Sequence, residues 1–249
     1  MRLFGNLYAY LWSGEGTNCN TYLLAGILRG ERPHVLIDPG FVTNERGERC
    51  FDFLLQALLR DGINPEEIGL IINTHCHPDH CEANAKLVEL TKRKRGKGKA
   101  ESALLAISVY EAEFLRGEGR KIFQDQRKEI DFVPDFFLKE GSLSLGKEVK
   151  IHLEVIHTPG HSPGSISLYW PEAKALFCGD TILYREIGAF DLPGADRKLL
   201  RRSIERLSEL DVEILLPGHS TRYGNIIAGR ERIRDNFSAI RVRFFPSLL

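Results

Sequence analysis

The 249-residue chain has no net charge: 34 lysines and arginines balance 34 aspartates and glutamates. That balance argues against broad, charge-driven binding to nucleic acid or to an anionic membrane. No apolar run approaches the ~20 residues needed to cross a bilayer, so no membrane association is expected. The opening residues, Met1-Arg-Leu-Phe-Gly-Asn-Leu-Tyr8, lack an extended hydrophobic stretch and a cleavage site, which predicts a cytoplasmic protein. Cysteine is sparse and odd in number. Cys19, Cys50, Cys76, Cys81 and Cys178 are widely scattered in a chain long enough to need no covalent staples, so free thiols are expected. With 43% hydrophobic and 27% charged residues, the composition is that of an ordinary globular protein.

Turn residues and periodicity divide the chain into alternating elements. Apolar and aromatic runs predict strands over 3–12, 21–28, 34–37, 68–73, 104–108, 149–156, 165–170, 175–178 and 212–216. Amphipathic spacing predicts helices over 51–60, 83–90, 110–116, 196–210 and 226–241. No linker or internal repeat interrupts this order, so one mixed α/β domain spanning 1–249 is expected. Residues 117–140 are charged and aromatic with weak periodicity. The stretch 110–140 is read as an insertion that covers a pocket. In the run 92–99 six of eight residues are Lys or Arg, but its two glycines and lack of aromatics fit a solvated loop better than a stacking platform for nucleic acid.

Four segments carry the chemistry, each at the end of a predicted strand. The first is His75-x-His77-x-Asp79-His80, whose imidazoles and carboxylate suit zinc and similar metals. This spacing can turn His75 and His77 to one side and Asp79 and His80 to another, so two neighbouring metals are the natural occupants. His157-Thr-Pro-Gly-His161-Ser-Pro-Gly-Ser165 is a Gly- and Pro-braced loop. Cys178-Gly-Asp180 and Pro217-Gly-His219 each place one acid or imidazole just after a glycine. Core residues have no reason to follow such a pattern.

In these segments the chain resembles the metallo-β-lactamase superfamily, and the match runs over about 20–220. The signature HxHxDH is present as His75, His77, Asp79 and His80, and the later positions are matched by His161, Asp180 and His219. The resemblance implies an αβ/βα four-layer sandwich with a dimetal site. By position, His75, His77 and His161 would hold one divalent metal and Asp79, His80 and His219 the second, with Asp180 bridging. Zinc is the expected metal, with iron or manganese as alternatives. The implied activity is hydrolysis by a metal-bridging hydroxide attacking a carbonyl, with Asp79 and Asp180 as the catalytic acids and no Ser or Cys nucleophile. Asp38, in Ile37-Asp38-Pro39-Gly40, matches an acid that orients a ligand histidine, and it reads equally as a turn cap. His34, His152 and His157 match no ligand position. Cys76 and Cys81 are read as packing residues, and Tyr184 as a core or rim aromatic.

Within the superfamily, the segments around His161, Asp180 and 188–194 are most similar to the glyoxalase II branch, which hydrolyses thioesters. That branch commonly carries Gly-Arg-x-Asp where this chain has Gly188-Ala189-Phe190-Asp191, and a larger helical glutathione-binding region than the sequence after His219 provides. A small thioester or acyl ester is therefore the expected substrate, for a monomer or homodimer. Lactonases and mononuclear-iron persulfide dioxygenases share the scaffold and remain alternatives. RNA-processing relatives and a non-catalytic metal-binding protein are further ones. Antibiotic-hydrolysing members usually have Cys where this chain has Asp180, which argues against that activity.

Overall fold

Gly5, with φ of +47°, turns the chain back on itself and splits the predicted first strand into β1 (Arg2–Phe4) and β2 (Leu7–Tyr10). The computed structural model describes residues 1–93, 101–146 and 150–248. Its strands continue with β3 (Thr21–Leu24), β4 (His34–Ile37), β5 (Ile68–Ile72), β6 (Leu104–Ser108), β7 (Phe136–Leu138), β8 (Gly141–Leu145), β9 (Ile151–His157), β10 (Ile166–Trp170), β11 (Ala175–Gly179), β12 (Ile214–Pro217) and β13 (Ile227–Ala228). The helices are α1 (Cys50–Arg60), α2 (Pro78–Cys81), α3 (Asn84–Leu90), α4 (Val109–Arg116), α5 (Gly119–Asp125), α6 (Arg197–Leu207) and α7 (Arg230–Phe244). None of these is long and apolar enough to cross a membrane.

Two sheets and their helices make the metallo-β-lactamase fold, and the described chain separates into two compact units. The first comprises Met1–Ile107, Phe123–Phe137 and Leu145–Ile151. Its sheet runs in the order β1 to β7. Hairpin pairing joins β1 through β4, and β4, β5 and β6 are parallel. Strand β4 is buried at every residue, as expected of a parallel strand covered on both faces. Both β4 and β5 end where the chemistry begins, at Asp38 and at Asn73-Thr74.

The second unit comprises Ser108–Ile122, Leu138–Ser144 and His152–Leu249. Its sheet is ordered β13-β12-β11-β10-β9-β8, with β11 and β12 parallel and α6 between them in sequence. Helix α6 buries Leu200, Ser203, Ile204 and Leu207, the i, i+3, i+4, i+7 stripe of a helix lying on a core. It is shorter than the predicted 196–210: Asp196 caps it and it closes at Leu207. The predicted final helix also begins later. Ile227 pairs with Leu215 of β12 and is fully buried, and Gly229, at φ of +100°, cannot sit inside a helix. Strand β8 was not anticipated, and Val149 of the predicted 149–156 strand lies outside the described residues.

The Asp196 cap ties α6 to the loop that carries His161. Its side chain accepts from the Leu199 N–H at 2.9 Å, and its own N–H donates to the Gly160 carbonyl at 2.8 Å. Asp196→Ala should lower stability by about 1 kcal/mol, measured by urea unfolding, because the Leu199 N–H loses its acceptor.

Candidate metal centre

In the first unit, β5 delivers the chain into Thr74-His75-Cys76-His77, and Pro78 starts the short helix α2 that carries Asp79 and His80. His75, His77 and His80 are buried and Asp79 is half-buried. The His75 ring lies edge-on to His77 at 4.7 Å between centroids and tilted against His80 at 4.0 Å. Asp38 stands behind this group at the end of β4, at φ of +55° and 2% exposed. Its carboxylate accepts from the Thr74 N–H at 2.8 Å, the Thr74 hydroxyl at 2.7 Å and His80 Nδ1 at 2.9 Å. The Thr74 hydroxyl proton is directed to Asp38, so its oxygen is placed to accept from His75 Nδ1, 3.2 Å away. Both imidazoles are thereby fixed through Nδ1–H, which makes Nε2 the lone-pair donor. An amide relay backs the loop: Asn84 donates to Asn73, and Asn73 donates to the His80 carbonyl.

In the second unit, Asp180 follows β11, His219 follows β12, and His161 lies in the loop between β9 and β10. His161 Nε2 and His219 Nε2 lie 3.6 and 3.3 Å from the same oxygen of Asp180. A charge-assisted hydrogen bond would draw such groups to about 2.7–2.9 Å. The longer separations suit atoms that share an ion about 2.0–2.2 Å from each. The Ala189 carbonyl accepts from His161 Nδ1 at 2.7 Å, again leaving Nε2 as the donor atom. Two glycines make this packing feasible. A Cβ on Gly160 would fall 2.1 Å from the Leu200 nitrogen, and one on Gly188 would fall 2.3 Å from the Asp180 carbonyl oxygen and 2.7 Å from His161 Nδ1.

One residue that sequence reasoning passed over holds the His161 loop in place. Glu111 of α4 is fully buried, and its carboxylate accepts from the Ser162 hydroxyl at 2.9 Å and the Gly164 N–H at 2.8 Å. The Ser162 hydroxyl also meets that of Ser165 at 2.7 Å. Tyr110 stacks on His157, whose Nε2 donates to the Pro163 carbonyl at 2.9 Å, so His157 braces the same loop. The available signal was an acid on the apolar face that α4 buries with Ala112, Phe114 and Leu115.

Other residues take supporting places. His34 accepts the Gly26 N–H at Nδ1, and burial lowers its pKa, with nearby Glu67 opposing. His152 meets the Ser144 hydroxyl in an exposed position. Tyr184 packs against the core of the second unit, and its hydroxyl accepts from Arg232 at 3.3 Å. All five cysteines are buried and none is in a disulfide, in keeping with a packing role for Cys76 and Cys81. Of the basic run 92–99, Lys92 pairs with Glu89, and Arg93 pairs with Glu66 and Glu31. The rest of that run lies outside the described residues.

The model of the metallo-beta-lactamase superfamily matches residues 14–219, and the chain belongs to that superfamily. A probable metallo-hydrolase of Methanocaldococcus jannaschii is 34% identical over 217 residues, covering 83% of this chain and 90% of that protein. A hydroxyacylglutathione hydrolase of Francisella tularensis subsp. novicida is 26% identical over 165 residues, 66% of this chain and 54% of that one. Among solved structures, the protein TTHA1623 in a di-iron-bound form is 28% identical, with a TM-score of 0.65 over 94% of this chain and 97% of that one.

Glu111→Ala leaves the Ser162 hydroxyl and Gly164 N–H without their buried acceptor. It should cost about 1–3 kcal/mol in urea unfolding, and Glu111→Gln, which keeps one acceptor oxygen, should cost less.

Proposed function

We propose that the chain is a binuclear metallo-hydrolase of small thioesters, and that its two units act as one catalytic domain over 1–249. In this reading His75, His77 and His161 hold one divalent ion, Asp79, His80 and His219 hold the second, and Asp180 is shared. The observation that carries it is the Asp180 carboxylate, with one oxygen faced by two imidazoles whose separations suit a shared ion. Superfamily membership, the metallo-hydrolase relative and the hydroxyacylglutathione hydrolase relative support hydrolysis. Zinc is the metal first expected of these donors, and the di-iron relative makes iron the alternative.

When bound, two such ions supply Lewis acidity that polarises a carbonyl and favours ionisation of a water near neutral pH. The chain's own residues set the stage for this. Asp38 and Thr74 fix the tautomers of His80 and His75, and the Ala189 carbonyl fixes that of His161. Asp79 and Asp180 would offset the positive charge of the bound ions, and each offers a carboxylate oxygen able to accept a proton from a water at the site. This scheme needs no Ser or Cys nucleophile, and the cysteines nearest these residues are buried. At position 189 the glyoxalase II-type arginine is replaced by alanine, which favours a thioester other than a glutathione conjugate.

Elemental analysis of protein purified without added metal should find about two metals per chain, and a thioester panel should find turnover. Asp180→Asn should reduce both. Normal metal content and turnover in that variant would overturn the assignment. Asp38→Asn should weaken metal retention by about 10–100-fold, read by chelator titration.

A further inference from the structure

A cavity of about 710 Å3 opens in the first unit, with Asp79 in its wall. That volume is in the range of small-molecule sites. Phe41, Glu45, Asp125, Arg127 and Lys128 also line it. Most of these polar groups are already engaged. Lys128 Nζ lies 2.8 Å from the Glu82 carboxylate, donates to the Thr43 carbonyl at 2.5 Å and sits over the Phe41 ring. Glu45 accepts the Thr17 N–H at 2.8 Å.

Arg127 differs from its neighbours. Among the described residues, no ion pair or hydrogen bond of its guanidinium occurs. Its backbone closes α5: the Arg127 N–H donates to the Gln124 carbonyl at 2.9 Å and the Lys128 N–H to the Phe123 carbonyl at 2.8 Å. This is the paired bond pattern of a Schellman cap, and Arg127 fills its left-handed position at φ of +56°. Glycine meets no steric cost there, whereas arginine does. A strained backbone holding an uncommitted cation in the wall of a cavity that includes Asp79 is a feature with no evident role in stability.

We propose that Arg127 is the specificity residue of this cavity and that it recognises a carboxylate carried by the substrate. The inference rests on the hydrolase reading above and adds the charge of the substrate to it. A guanidinium meets a carboxylate through two parallel hydrogen bonds, a planar fork that an ammonium does not offer. The same wall argues against a more highly charged ligand. Three carboxylates, Glu45, Asp79 and Asp125, face two cations, one of them already paired with Glu82. A phosphate dianion or a nucleic-acid strand would meet proportionally greater repulsion than a single carboxylate.

The test uses the metal-loaded protein, two thioesters of N-acetylcysteamine and Arg127→Gly. The S-succinyl ester carries a carboxylate and the S-acetyl ester does not. The intact protein should favour the succinyl ester about tenfold in kcat/KM, mainly through KM. Arg127→Gly should erase that preference, leave acetyl turnover unchanged and keep or raise the thermal midpoint, because glycine suits the cap. Arg127→Lys should restore only part of the preference. Calorimetric titration with succinate supplies a readout independent of turnover: binding by the intact protein and its loss in Arg127→Gly are expected. A preference or succinate binding that survives Arg127→Gly overturns the proposal, as does equal use of both esters without succinate binding. Hydrolysis of both esters with no dependence on Arg127 would leave the hydrolase reading standing. Arg127-dependent succinate binding with no thioester turnover would do the reverse.

Discussion

The buried carboxylate of Asp38 is the constraint on which the arrangement of the first unit's candidate ligands depends. It is almost fully withdrawn from water and accepts four hydrogen bonds, from the Thr74 N–H, the Thr74 hydroxyl, His80 and, at 3.5 Å, the Asn73 side-chain amide. A carboxylate in such a place is tolerable only when its lone pairs are satisfied, so the chain before and after it must hold those donors in place. The parallel pairing of β4 with β5 does this by ending both strands at the same level, with Asp38 on one and Thr74 just beyond the other. The same carboxylate then dictates which nitrogen of His80 carries the proton, and through Thr74 it does so for His75. Strand register is in this way converted into ligand chemistry.

The second unit reaches a similar result by other means. Its buried acid, Asp180, faces His161 and His219 and does not stand behind them. Backbone carbonyls and close glycine packing take that part: the Ala189 carbonyl orients His161, and Gly188 allows Asp180 and His161 to approach. Glu111 acts one step further back, holding Ser162 and Gly164 so that the loop keeps its shape. It touches no ligand side chain in these bonds, and its effect on the centre is mechanical.

The candidate ligand residues stand out in the sequence because they are rare types placed where strands stop, with glycine and proline as punctuation. The parallel strand β4 was legible because a continuous apolar run ends abruptly at Asp38-Pro39-Gly40. Glu111 was hidden for a physical reason: within its own helix it reads as an ordinary acid, and its partners lie 51 and 53 positions away. Arg127 was hidden because nothing in its local sequence announces a left-handed backbone, which appears only when α5 closes with its paired bonds. The split of the first predicted strand, by contrast, was written in Gly5-Asn6, a pair suited to a tight reversal, and the aromatic and aliphatic run around it masked that signal.

Because the main chain of Ala189, and not its side chain, steadies His161, this position carries two separable duties. The carbonyl is common to every amino acid, so the grip on the ligand survives exchange of the residue itself. Members of one scaffold can therefore differ at this point in size and charge while keeping the same donor set. Such an arrangement lets a lineage change what it acts on without first surrendering the ability to act.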